Sequence, residues 1–154
     1  MTMAAPTLDD VRDALGALGA DSALEPPGAG STSLNGITHD SRAVIAGDLF
    51  ACLPGSQVDG HDFAPAAVSA GAGALLVEHR LDPATVGSVP QLIVEDARRS
   101  LGPVAALVHG LPSRMLRTVG ITGTNGKTTT AQMLSAILEH AGLQTGVVGT
   151  LHGE

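Results

Sequence analysis

The sequence predicts an α/β protein, and three observations predict it. Short apolar runs bounded by turn residues alternate with stretches of helical periodicity along most of the chain. Aromatic residues make up only 1% of it, so the core must be Ala, Val, Leu and Ile packed around 20 glycines. Near the far end, "GITGTNGKTTT" (Gly120 to Thr130) sets three glycines, five threonines and one lysine between an apolar run and an amphipathic stretch. Strands alternating with helices build a sheet that helices cover.

The first element is a helix over 7–18. Leu8, Val11, Leu15 and Leu18 recur at helical spacing, Thr7 can cap the start, and Asp9 and Asp10 sit in the turn where the helix dipole favours anions. "EPPGAGSTS" (Glu25 to Ser33) is a turn-rich break. "DLFACL" (Asp48 to Leu53), ended by Pro54-Gly55, reads as a buried strand. "FAPAAVSAGA" predicts a helix closing at Gly71 that feeds a strand, "ALLVE" (Ala74 to Glu78). "PQLIVED" (Pro90 to Asp96) is a further strand. Helix should follow from Ala97 to His109, where Pro103 either kinks it or opens a fresh helix at its first position. "HGLPSRMLRT" (His109 to Thr118) reads as a joint. Beyond it, "TVGIT" predicts a strand running into the glycine-rich loop. A helix then presents Ala131, Leu134, Ile137, Leu138 and Ala141 on one face and stops at Gly142, and "TGVVGT" (Thr145 to Thr150) is the next strand. From Thr118 to Thr150 this is a strand–loop–helix–strand unit, the size of one βαβ crossover.

Composition narrows the function. Hydrophobic residues at 44% and charged residues at 15% describe a chain that buries a core. A net charge of −7 argues against a broad nucleic-acid surface, which needs clustered Lys and Arg. The single cysteine, Cys52 in "LFACLPG", excludes an intrachain disulfide framework and reads as a buried structural thiol in a reducing compartment. The N-terminus lacks the pattern of a signal peptide, and no stretch approaches the ~20 apolar residues that span a bilayer, so the expectation is a cytoplasmic protein that does not engage a membrane. The histidines His61, His79, His109, His140 and His152 show no metal-ligand spacing, and His61-Asp62 reads as a turn with a helix cap.

The loop carries the chemistry. Polyphosphate binding needs backbone N–H groups converging on anionic oxygens at the positive end of a helix. Gly123, Thr124, Asn125 and Gly126 supply that backbone, with Thr129 in the same run. Lys127 supplies a cation for the terminal phosphates, and Thr128 a hydroxyl where a Mg²⁺ ligand belongs. The general pattern G-x-x-x-x-G-K-[ST] wants glycine at position 121, where this chain has Ile121; the match is to the narrower T-G-T-N-G-K-T. This is an ATP loop.

The loop resembles that of the Mur ligases, the ATP-dependent enzymes that add amino acids to the peptidoglycan precursor. "THDSRAVIAGDLFACLPGSQVDGHDFAPAAVSAGAGALLVE" (Thr38 to Glu78) is similar to their N-terminal domain, and "VVGT" (Val147 to Thr150) sits where the tripeptide-forming branch carries a similar strand. The branch that extends the tripeptide usually carries Ser in place of Thr124. The resemblance implies an N-terminal mixed α/β uridine-nucleotide-binding domain over 1–112. The first βαβ unit of a P-loop (Rossmann-like) ATPase domain follows over 113–154. It implies uridine contacts from His39, Ser41, Ser56, Gln57 and Val58. Asp40-Ser41 as a side-chain-capped turn and Asp59-Gly60 as a turn dipeptide are the structural alternatives. Arg42 pairs either with the substrate diphosphate or with Asp48.

The implied reaction passes the γ-phosphoryl group of ATP to the D-Glu carboxylate of UDP-N-acetylmuramoyl-L-alanyl-D-glutamate. The amine of meso-diaminopimelate or L-lysine then displaces phosphate and forms the amide, with Lys127 and Mg²⁺ offsetting the charge. A full-length enzyme of this kind is expected to be a monomer. The family's further metal ligands, its carbamylated lysine and its third domain fall outside these 154 residues, so this chain is expected to bind uridine weakly, to bind ATP poorly and not to catalyse ligation. Within the family the alternative is a part of the branch that extends the tripeptide, and from another class it is a non-catalytic UDP-sugar- or nucleotide-binding module.

Overall fold

The computed structural model describes residues 5–149. The chain separates into two compact units, Met1–Met115 and Leu116–Glu154, divided within the stretch read as a joint.

The first unit is built on a five-stranded sheet. Helix α1 (Leu8–Ala17) starts at Thr7, whose hydroxyl accepts the Asp10 N–H while Asp10 reaches back to the Thr7 N–H at 2.8 Å, a reciprocal capping box. It buries Leu8, Val11 and Leu15 of the helical spacing, whereas Leu18, expected on the same face, follows the last helical residue and is exposed. Strands β1 (Ser22–Glu25), β2 (Ile37–Thr38) and β3 (Leu49–Ala51) follow. Then come α2 (Ala64–Ser69), β4 (Ala74–Val77), the short α3 (Pro83–Val86), β5 (Gln91–Val94) and α4 (Ala97–Val108). The sheet order is β1-β5-β4-β3-β2, with β2 to β5 mutually parallel and β1 antiparallel on β5.

The central strands read as unbroken apolar runs because both faces are covered. Along β3 and β4 successive side chains alternate faces. Leu49, Ala51, Ala74 and Leu76 join Leu8, Val11, Leu15 and Val104 on the α1/α4 side. Phe50, Cys52, Leu75 and Val77 join Ala64, Ala67 and Val86 on the α2/α3 side. Cys52 is fully buried, and burial, helped by the Asp59 charge, pushes its thiol up to about 12, as a structural thiol should be. Pro103 opens no fresh helix: α4 runs through it unbroken. Arg99, whose carbonyl the missing N–H would have met, is exposed and can be solvated.

The second unit contains α5 (Lys127–His140), followed by Gly142 in the left-handed region at φ +81°. The strands expected over Thr118–Thr122 and Thr145–Thr150 are absent among the described residues; Thr150, like His152, lies outside them. An extended segment becomes a strand only when a neighbour takes its backbone donors and acceptors, and among the described residues neither segment has such a neighbour. The expected βαβ unit is therefore represented by its loop and helix. The apolar face also differs in part: Ala131, Leu134 and Leu138 are half-buried, whereas Ile137 and Ala141 are exposed. Ser135 and Glu139 tie α5 to Thr145, whose hydroxyl lies 2.6 Å from that of Ser135 and donates to Glu139 at 2.7 Å. Among the described residues no helix is long and apolar enough to cross a membrane.

Candidate functional site

Strands β2 to β5 run in one direction, so the loops leaving their carboxyl ends gather along one edge of the sheet, where open α/β sheets bind ligands. The segment His39–Arg42 leaves β2, and the loop holding Ser56, Gln57 and Val58 leaves the adjacent β3. The topology thus sets the five predicted uridine contacts on loops that leave adjacent strands. His39, Asp40, Ser41, Arg42 and Phe63 line an open depression of about 540 Å³ there, so of the five only His39 and Ser41 line it.

Asp40 organises the first of these loops. Its N–H donates to Thr38 Oγ1 at 3.2 Å, and its Oδ1 accepts the Arg42 N–H at 3.0 Å, the side-chain-capped turn weighed as an alternative. Arg42 does not pair with Asp48. Its guanidinium closes on Asp40, Nε to Oδ1 at 2.9 Å and Nη2 to Oδ2 at 2.8 Å, while buried Asp48 accepts the Ile45 N–H at 2.9 Å. A planar fork two residues away meets the carboxylate with little ordering cost, whereas Asp48 is already engaged. The Arg42 side chain holds the Asp40 carboxyl down at about 2, with the Arg42 N–H adding to it.

The second loop is closed at its base. Gly55 N–H donates to Val58 O at 3.1 Å and Gly60 N–H to Leu53 O at 3.0 Å, leaving Ser56, Gln57 and Val58 as an exposed tip. Asp59 caps the 3₁₀ turn Gly60–Phe63 by accepting the His61 N–H at 3.0 Å. The cap expected from His61-Asp62 is thus supplied by Asp59, and His61 is itself buried. Its Nδ1 lies 2.6 Å from Asp59 Oδ1, its Nε2 accepts the Glu78 N–H at 3.1 Å, and its ring stacks on His79 with centroids 4.3 Å apart. Reading the sequence alone missed this. The only available cue was a histidine directly after Asp59-Gly60.

In the second unit the chain bends through Thr124, Asn125 and Gly126 and enters α5 at Lys127. Gly126 takes φ +77° at the helix start and no side chain caps it, so the first amides, those of Lys127, Thr128 and Thr129, are left without intrahelical acceptors. Lys127 Nζ turns back to donate to the carbonyls of Gly123 and Thr124. Thr128 is half-buried in the first turn. Among the described residues no group of three His, Cys, Asp or Glu side chains could hold a metal ion.

Residues 33–110 match the profile of the Mur ligase family, catalytic domain. The chain belongs to the Mur ligase family. Residues 121–153 match the Mur ligase middle domain. A UDP-N-acetylmuramoyl-L-alanyl-D-glutamate–2,6-diaminopimelate ligase of Syntrophomonas wolfei is 47% identical over 121 residues, covering 79% of this chain and 24% of that protein. A crystal structure of MurF from Acinetobacter baumannii superposes with a TM-score of 0.71 at 28% identity, over 91% of this chain and 29% of that one. The MurF ligase of Thermotoga maritima, solved in complex with ADP, superposes with a TM-score of 0.55 at 29% identity, over 69% of this chain and 23% of that one. The chain thus spans about a quarter of the length of the Mur ligases it matches.

Proposed function

We propose that this chain is the nucleotide-holding part of an ATP-dependent ligase that adds a diamino acid to UDP-N-acetylmuramoyl-L-alanyl-D-glutamate in peptidoglycan synthesis. The observation that carries the reading is the start of α5: uncapped amides, a left-handed glycine and a lysine on one bend, the arrangement that anionic oxygens require. In this reading residues 1–112 hold the uridine nucleotide and residues 113–154 begin the ATP domain.

His39, Ser41, Ser56, Gln57 and Val58 would receive the uridine end, Ser41 and Gln57 offering both donors and acceptors to it. The amides from Gly123 to Thr129 would cradle the ATP phosphates, and Lys127 would leave the Gly123 and Thr124 carbonyls to meet their terminal oxygens. Thr128 fits Mg²⁺, a hard cation that takes oxygen ligands and would neutralise phosphate charge there. The ADP complex of the Thermotoga relative supports an adenine nucleotide in this family. The name of the Syntrophomonas relative, at 47% identity over 79% of this chain, supports this branch and favours diaminopimelate over lysine as the amino acid.

Calorimetric titration of the 154-residue chain with UDP, and separately with Mg-ATP, tests the assignment. Weak, saturable UDP uptake that Gln57→Ala and Ser41→Ala each reduce is the expected result, with little ATP uptake. Tight ATP binding with no affinity for UDP would overturn it.

A further inference from the structure

The tip Ser56–Val58 is exposed, yet its base is tied to two other elements. On the outgoing limb, Arg98 of α4 donates from Nη2 to the Pro54 carbonyl at 2.9 Å. On the return limb, Asp59 accepts both the backbone N–H and Nδ1 of His61. The second ring nitrogen of His61 accepts the N–H of Glu78 at the carboxyl end of β4. A backbone N–H can only donate, so Nε2 carries the lone pair and Nδ1 the hydrogen that goes to Asp59. Glu78 is held in turn: its Oε1 accepts the Ala97 N–H of α4 at 2.9 Å. One buried imidazole thus joins the loop to a central strand, and one guanidinium joins it to a helix. A polar ring is buried at a cost unless both nitrogens are satisfied, and here both are, one partner on the loop and the other on β4.

We propose that His61, assisted by Arg98, is a positioning residue for nucleotide recognition, presetting the Ser56–Val58 tip in the shape that meets the base. The proposal rests on the uridine reading given above. A loop free to move must be ordered when its ligand arrives and loses affinity accordingly; one clamped at both limbs has been ordered by folding. The histidine touches no ligand itself and acts through Asp59 and the loop backbone.

The test compares wild type, His61→Ala, His61→Gln and Arg98→Ala in the full chain, by UDP titration and by amide hydrogen exchange. His61→Ala should weaken UDP binding about tenfold, the scale of one or two lost hydrogen bonds. It should speed exchange at residues 55–60 while leaving β4 and β5 protected. His61→Gln, whose amide can accept the Glu78 N–H and donate to Asp59, should recover most of both losses. A further variant, His61→Leu, which fills much of the space without polar atoms, should not; equal recovery by Gln and Leu would reduce His61 to filling volume and overturn its positioning role. Arg98→Ala removes an exposed side chain, so it tests the clamp even if His61→Ala fails to fold; it should weaken UDP binding several-fold. A wild-type chain that takes up no UDP would remove the uridine reading and this proposal with it. Wild-type UDP binding that Arg98→Ala and folded His61→Ala both leave intact would overturn the positioning role alone.

Discussion

Arg42 grips Asp40 with two parallel hydrogen bonds, Nε to Oδ1 at 2.9 Å and Nη2 to Oδ2 at 2.8 Å, across a separation of two residues. The pair sits on the rim of the depression lined by His39 and Ser41, so it shapes the wall of the proposed nucleotide site. The Asp40 carboxyl is held at about 2, below its ordinary 3.8. A carboxylate whose folded value is depressed stabilises the fold above its unfolded value, and the contribution disappears as pH falls through the folded one. The turn should therefore stay closed at neutral pH and open between about pH 4 and 2. An NMR titration of the Asp40 carboxyl carbon checks this, and a midpoint at or above 3.8 would contradict the geometry.

Two glycine-to-alanine changes should act in opposite directions. A Cβ on Gly60 would lie 2.4 Å from the Leu53 nitrogen and 2.5 Å from its oxygen, and backbone cannot swing aside. Gly60→Ala should cost about 1–3 kcal/mol and open the loop base. Gly102 stands inside α4 with nothing within 4 Å of its Cβ position. Gly102→Ala should raise stability by about 0.5–1 kcal/mol, because alanine loses less backbone entropy in a helix. Denaturant unfolding of both variants decides it, and a stabilised Gly60→Ala would refute the close approach.

Which elements the sequence made legible follows from how strongly each was imprinted by burial. Leu49–Ala51 and Ala74–Val77 are covered on both sides and spell continuous apolar runs, so both were readable. Strands β1 and β2 are short and mostly half-buried, defined by their pairing with β5 and β3, and no local pattern announced them. Thr118–Thr122 shows the converse: its residues favour a strand, but among the described residues no ladder partner makes one. At the site, the Lys127 bend was legible because glycine and lysine spacing encode it locally. The bond from Glu78 to His61 joins residues 17 apart and depends on β4 ending beside the loop, which no spacing rule supplies.

Thr7 should prove the most costly polar residue of α1 to remove. Its hydroxyl accepts the Asp10 N–H at 3.3 Å, and its own N–H is taken by Asp10 in return. Thr7→Ala abolishes the first bond and should destabilise the unit by about 1 kcal/mol, whereas Thr7→Ser should be close to neutral. Equal unfolding midpoints for wild type and alanine would show that the cap contributes nothing.

Cys52 should be silent toward thiol reagents in the native state. Its side chain is fully buried and its thiol is pushed up to about 12, so at pH 8 almost no thiolate exists and none is reachable. Labelling by a disulfide reagent should proceed only as fast as the first unit unfolds, and should accelerate in step with denaturant. Rapid stoichiometric labelling without denaturant would mean that the carboxyl end of β3 is far more open than the packing of β3 and β4 allows.

A change at Lys127 should separate the two proposed nucleotide functions. In the free chain its ammonium is held by the Gly123 and Thr124 carbonyls, where it closes the bend ahead of α5. Lys127→Met keeps the length and apolar body of the side chain and removes only the charge and its donors. Exchange at the amides of Gly123 to Lys127 should quicken, since the two carbonyls lose their shared partner. In any longer chain that turns over ATP, kcat/KM should fall at least about 100-fold, the usual loss when a preorganised donor to developing phosphate charge is removed. UDP affinity should not change, because the residues proposed to receive the uridine belong to the other compact unit. UDP titrations of wild type and variant, and steady-state kinetics of the same substitution in a longer chain that turns over ATP, check the two halves of the statement. A loss of UDP binding in Lys127→Met would show that the lysine serves the first unit rather than a triphosphate.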